Sequence, residues 1–212
     1  MKKHIKKHWE HIYQTKSAHE VSWTQETPIG SLALIHICNL PKNARIMDAG
    51  GGDGLLVDHL LNEGFTQISV LDISDAAIEK AKRRLGARSR LVTWYVGDVL
   101  DFQSEENYDL WHDRATFHFQ TNPDSINQYI KMVDKVVKGY LIIATFSDIG
   151  PTKCSGLEIQ QYNESDLKSI FEEAEFVNIT CHREDHVTPF GTKQNFLFCQ
   201  FKKKSLSISG DF

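Results

Sequence analysis

Residues 45–56 read RIMDAGGGDGLL and set two carboxylates, Asp48 and Asp53, into a turn rich in glycine at Gly50, Gly52 and Gly54. Glycines in such a turn let a ligand come close to the backbone. A dinucleotide fingerprint would be GxGxxG, whereas position 55 is Leu and the last glycine falls one residue early. A pyrophosphate seeks the N–H groups and positive end of a helix, and carboxylates at the same mouth repel it. A ligand that carries an ammonium and a sulfonium, with no phosphate, is attracted instead.

S-adenosylmethionine has that charge pattern, and two more acids suit its nucleoside end. Asp72 closes the run QISVLD, where a carboxylate can accept both ribose hydroxyls, and Ile73 beside it can cover one face of an adenine. Asp98, in VGDVL, is placed to accept from the exocyclic amine, with the Val99 N–H facing a ring nitrogen.

Each acid needs a strand to carry it. Strand-like runs rich in β-branched and aromatic residues recur at 44–48, 67–72, 90–96, 108–112 and 140–146. Helix-like runs lie between them: Leu56, Leu60 and Leu61 share a face, Ser74 is an N-cap candidate, and Ile126, Ile130, Val133 and Val137 form a stripe. This alternation predicts an α/β fold, a doubly wound and mostly parallel sheet with helices on both faces. After a helix-like ESDLKSIFEEAEF, two strands at 177–187 and 193–203 have no helix between them and read as an antiparallel hairpin on the sheet edge.

Composition bounds the rest. A chain of 212 residues with 41% hydrophobic and 25% charged residues is expected to form one soluble domain, and its net charge of −4 argues against a nucleic-acid partner. The amino terminus has no apolar h-region and no window suits a membrane span, so neither export nor a membrane partner is expected. Cys38, Cys154, Cys181 and Cys199 form no CxxC pair, which points to a reducing, cytoplasmic setting with Cys181 and Cys199 as inert core residues. His4, His8 and His11 have helical spacing but read as a solvated basic face, and no metal is expected.

The series DAGGGDG, VLDIS, GDVLDF and YDLWHDRATFHF resembles the class I S-adenosylmethionine-dependent methyltransferases in order and spacing over about residues 40–145. The likeness to bacterial members of unassigned substrate extends to HWEHIYQTKSAHEVSW, CSGLEIQQY and TPFGTKQNF. It implies seven strands in the order 3-2-1-4-5-7-6 with strand 7 antiparallel. It also implies that Asp48, Gly50 and Gly52 hold the methionine portion, Asp72 the ribose, and Asp98 with Val99 the adenine. His112, Asp113 and Arg114 would approach the methionine end, and Trp9, Tyr13 and Trp23 would form a lid. The implied layout is a lid over 1–30, a cofactor-binding core over 40–145, a substrate-side portion over 146–203 and a flexible tail over 204–212.

Methyl transfer from a sulfonium is an in-line displacement, in which the protein chiefly aligns the reactants. If the acceptor needs a base, His118 and then Tyr162 are the first candidates, with Cys154 in a loop that borders the substrate. Where the family places an NPPY-type tetrapeptide for amide or nucleobase amines, HDRA stands here. The expected activity is methylation of a small molecule. Alternatives are a protein lysine methyltransferase, a non-catalytic cofactor-binding module and a nicotinamide enzyme.

Overall fold

A computed structural model describes residues 2–204. Its strands are β1 (Arg45–Ala49), β2 (Gln67–Asp72), β3 (Val92–Val96), β4 (Tyr108–Arg114), β5 (Val137–Phe146), β6 (Lys153–Cys154), β7 (Leu157–Glu158), β8 (Phe176–Val187) and β9 (Lys193–Lys203). Helices are α1 (Lys2–Thr15), α2 (Ile29–Ile37), α3 (Leu56–Asn62), α4 (Asp75–Leu85), α5 (Pro123–Val136) and α6 (Glu164–Glu172). Seven strands make one sheet in the order β3-β2-β1-β4-β5-β9-β8, the order expected, and β9 runs antiparallel to both neighbours. No helix among the described residues is long and apolar enough to cross a membrane.

The period-2 pleat sorts the central strands into two cores. Met47, Trp111, Ile143 and Leu197 face α5 and α6, whereas Ile46, Leu110, Ile142 and Phe198 face α2, α3 and α4. Helix starts follow local chemistry. Ser74 Oγ accepts from Ala77 N at 3.2 Å to open α4, and Asn122 Oδ1 accepts from Ser125 N at 3.0 Å to open α5, with Pro123 at its first position.

The helix α2 and the short β6–β7 pair have no counterpart in the sequence reading. In α2, Leu32, Leu34 and Ile35 are buried, but Ile29 and Ile37 are 69% and 60% exposed, so the apolar residues run round the helix without a single stripe. The tail expected to fray lies outside the described residues beyond Lys204.

One reading of the cysteines is overturned. Cys181 and Cys199 stand directly opposite each other on β8 and β9, with Cα atoms 4.2 Å apart, and are joined as a disulfide; Cys38 and Cys154 are free. Pairing depends on cross-strand register, to which spacing along the chain is blind, and the cysteine argument for a reducing compartment falls with it. The bridge is expected to leave two titratable thiols in the unfolded, unreduced chain and four after reduction. A bridged loop of this size contributes about 3 kcal/mol by chain entropy, so reduction is expected to lower the melting temperature by several degrees. Four thiols without reductant would refute the pairing.

Candidate active site

The turn after β1 is pinned to β2, since Gly50 N and Gly51 N both donate to the Leu71 carbonyl at 2.7 and 3.2 Å. Gly50 and Gly52 have φ of +71° and +54°; a Cβ on Gly50 would strike the Thr116 hydroxyl and one on Gly52 the Tyr13 hydroxyl. A side chain at either place would be strained and would have to displace its neighbour.

Behind this turn Asp48 is buried and must be satisfied. Its Oδ1 lies 2.8 Å from His112 Nδ1, and His112 Nε2 lies 2.8 Å from Ser31 Oγ. A carboxylate only accepts, so the imidazole donates from Nδ1 to Asp48, and its Nε2 hydrogen-bonds the Ser31 hydroxyl. A line of hydrogen bonds thus crosses the floor of the site from β1 through β4 to α2.

Asp72 lies at the end of β2, its Oδ1 accepting from Ser74 N at 2.7 Å. Burial, with the nearby Asp53 and Asp48 charges adding to it, pushes its carboxyl up to about 7, against the bonds from Ser74 N and Gly52 N. Asp98 ends the approach from β3 and its Oδ1 accepts from Leu100 N at 2.9 Å. These strand ends open on one cavity of about 800 Å³, whose wall includes Asp48, Gly50, Asp72, Ile73, Asp98 and Val99.

The other half of the cavity is aromatic. Trp9 of α1 meets Trp23 and Phe119 edge to face, with centroids 5.5 and 5.4 Å apart, and Tyr13 sits beside them. α1 is docked through Glu10, whose carboxylate accepts from Ser74 Oγ at 2.8 Å and from Ala76 N at 3.2 Å, at the positive end of α4. Lys80 adds a bond to the Lys16 carbonyl at 2.7 Å.

Several sequence-predicted residues lie elsewhere. The pleat turns Asp113 away from His112 and Arg114, toward α5, where it accepts from Tyr129 Oη at 2.6 Å and from Thr116 N and Phe117 N at 3.0 Å. It clamps the β4–α5 connection and does not line the cavity. His118 is also off the wall, packed against Phe119 and Phe146. Burial, helped by the Arg114 charge, pulls its imidazole down to about 3, so it is neutral at physiological pH and out of reach as a base. Tyr162 stacks on Phe117 at 5.3 Å in the core beneath the sheet, with its hydroxyl raised by burial. Neither sits where a proton has to be taken.

The charge argument for the glycine turn also changes. Asp53 is at the mouth, but the Lys80 and Arg84 charges oppose the burial that raises its carboxyl, and both cations line the cavity. The mouth is therefore not uniformly negative, and charge alone does not bar phosphate. Ser31, Thr116, Phe119 and Glu10 belong to the site without being singled out in the sequence; Thr116, Phe119 and Glu10 lie inside quoted stretches whose other residues drew the attention, and Ser31 lies in none. No group of three or more His, Cys, Asp or Glu residues suited to a metal occurs among the described residues.

A protein family described as "Methyltransferase domain" matches residues 40–198. A malonyl-[acyl-carrier protein] O-methyltransferase of Anoxybacillus flavithermus is 32% identical over 127 residues, covering 56% of this chain and 47% of that protein. The human EEF1A lysine methyltransferase 2 is 24% identical over 157 residues, covering 66% of each. The chain thus spans less than half the length of the first of these relatives. A crystal structure of Burkholderia thailandensis 1,6-didemethyltoxoflavin-N1-methyltransferase, with bound 1,6-didemethyltoxoflavin and S-adenosylhomocysteine, superposes with a TM-score of 0.71 at 18% identity, covering 95% of this chain and 88% of that one. The fold is shared.

Asp72 generates a stability prediction with a definite sign. Its raised carboxyl binds a proton more tightly in the folded chain than in the unfolded one, so its contribution is most favourable below about pH 4, declines as pH rises toward about 7, and is flat above that. Asp72→Asn keeps an acceptor for Ser74 N and removes the charge. Without ligand, it is expected to raise the melting temperature by a few degrees at pH 8 and to leave it unchanged near pH 4. A lower melting temperature at pH 8 would show that the carboxylate stabilises the fold.

Proposed function

The chain belongs to the methyltransferase domain family, and from that we propose that it is an S-adenosylmethionine-dependent methyltransferase whose acceptor is a small molecule. One observation carries the reading: the carboxylates Asp48, Asp72 and Asp98, at three successive strand ends, share a cavity with a glycine turn held at positive φ against neighbouring side chains. The residues fit the cofactor. Asp72 lies on the cavity wall, and a carboxylate held by Ser74 N keeps further lone pairs for the donors that the ribose hydroxyls supply. Ile73 and Val99 would flank the adenine, Asp98 would accept from its amine, and Asp48 with Gly50 and Gly52 would hold the amino-acid end.

S-adenosylmethionine, when bound, supplies a methyl carbon on a sulfonium that leaves as a neutral thioether without acid assistance. The protein's own work is alignment and exclusion of water, and alignment is worth on the order of 7–11 kcal/mol. His112 acts as a positioning residue: with both ring nitrogens engaged, it keeps Asp48 turned toward the cavity. Trp9, Tyr13 and Trp23 on the first 30 residues form a lid over the aromatic half.

A small acceptor is favoured because α1 and its aromatic cluster cover that half, leaving less access for a folded protein. A lysine side chain is the second reading, supported by the length of the match to the lysine methyltransferase. Labelled methyl donor offered to separated metabolite and protein fractions distinguishes them by where the label goes.

Two outcomes are expected. Calorimetry should show binding of S-adenosylmethionine and S-adenosylhomocysteine and none of NAD. Affinity should fall as pH drops below about 7, because Asp72 must be ionised to accept the ribose hydroxyls. Asp72→Asn should remove that slope and weaken binding by about 1.5–3 kcal/mol. Binding of NAD with no response to either sulfur nucleoside would refute the reading.

The second outcome concerns the lid. Hydrogen exchange over residues 5–25 should slow when S-adenosylhomocysteine is added, more than in β1 or β4, and deletion of residues 1–25 should leave a folded chain with much weaker affinity. Equal exchange with and without ligand would make the three aromatics ordinary packing.

A further inference from the structure

The aromatic half of the cavity contains a charge that nothing pairs. Arg114, the last residue of β4, lies on the cavity wall with its guanidinium 4.7 Å from the centroid of the Phe196 ring and Nη1 donating to the Trp23 carbonyl at 3.1 Å. Nε and Nη2 are withdrawn from solvent and have no hydrogen-bond partner among the described residues. Glu184 and Asp48 act on the guanidinium only from beyond ion-pair distance, and burial pulls its pKa down to about 10, so it stays charged at neutral pH. A buried guanidinium with an unfilled planar edge is costly, and that edge matches the two oxygens of a carboxylate.

The four candidate proton acceptors nearest in kind to a general base are not available beside Arg114. His112 has both ring nitrogens engaged, Cys154 has its thiol pushed up to about 12 by burial, and His118 and Tyr162 are in the core. None of these four is free to take a proton from an acceptor. An acceptor that arrives as an anion needs none.

We propose that the methyl acceptor is a small carboxylate with an apolar body, its charge held by Arg114 and its body packed against Trp9, Trp23 and Phe119. This rests on the methyltransferase reading above and adds the substrate class to it. In the transfer step, a carboxylate oxygen gives an electron pair to the methyl carbon while the carbon–sulfur bond breaks with its pair going to sulfur. A carboxylate and a sulfonium become a methyl ester and a thioether, and no proton moves. The neutral ester no longer pairs with Arg114, which favours its release.

The test uses the full chain with S-adenosylhomocysteine bound. Phenylacetate, indole-3-acetate and monoethyl malonate are titrated calorimetrically, each beside its primary amide and its methyl ester. At least one acid is expected to bind about tenfold tighter than its amide and ester, with the preference lost in Arg114→Gln and partly kept in Arg114→Lys. Affinity for S-adenosylhomocysteine should change by about threefold or less in both variants, which also reports that they fold. With labelled donor, the preferred acid should acquire a methyl that alkali releases.

The proposal is overturned if no acid is preferred over its amide, or if the preference survives in Arg114→Gln. It is also overturned if Arg114→Gln weakens S-adenosylhomocysteine about tenfold but leaves 5′-methylthioadenosine, which lacks the amino-acid end, unaffected; the guanidinium would then serve the cofactor's own carboxylate. Failure of the wild-type chain to bind S-adenosylhomocysteine would remove the methyltransferase reading as well, whereas binding with charge-blind acceptors would remove this inference alone.

Discussion

A carboxylate buried at the end of a central strand has to be hydrogen-bonded, because an isolated charge out of water costs more than a fold of this size can absorb. Asp48 meets that requirement through His112, and His112 through Ser31. The bond holds because β1 and β4 pair in the register that sets Asp48 beside His112. A slip of one residue would bring Trp111 or Asp113 alongside instead and turn the imidazole to the opposite face. It also draws in α2, whose Ser31 closes the line from the layer above the sheet. Strand register, helix docking and the floor of the site are therefore one constraint.

The same pleat divides β4 between two tasks. Leu110, His112 and Arg114 look toward the cavity side, while Trp111 and Asp113 look toward α5, where Asp113 and Tyr129 make a buried clamp. Burial pushes the Asp113 carboxyl up to about 6, and its bonds to Tyr129, Phe117 and Thr116 bring it part of the way back. Two ionisable neighbours thus differ in role because alternate residues of a strand occupy different environments. Position next to a motif does not decide which side chain faces the ligand.

The packing of α1 over the aromatic half is likewise polar at one contact and apolar at the next. Glu10 accepts from the Ser74 hydroxyl and the Ala76 N–H at the start of α4, close after Asp72, and Trp9 settles against Trp23 and Phe119. α1 is thereby fastened to the segment that follows the proposed ribose acceptor.

The sheet was legible from the chain because burial and period impose composition: runs such as QISVLD and YLIIATF have few other stable uses, and Ser74 announces a helix by local capping alone. The order of strands and the glycine turn with its strand-end acids were likewise readable, since each depends on residues close together in sequence or on a family pattern carried by them. The cysteine bridge was not, because Cys181 and Cys199 meet through the β8–β9 register. Ser31 and Glu10 were hidden for the same reason, each acting on partners in distant elements. His118 and Tyr162 looked chemical in sequence and became core residues once packing withdrew them from water, while Arg114 became the unpaired charge beside the cavity. What the chain by itself determined is the set of elements and the turn chemistry, which are local. Which polar side chain is exposed to ligand and which is buried was decided only by tertiary structure, because solvation depends on everything packed around a group.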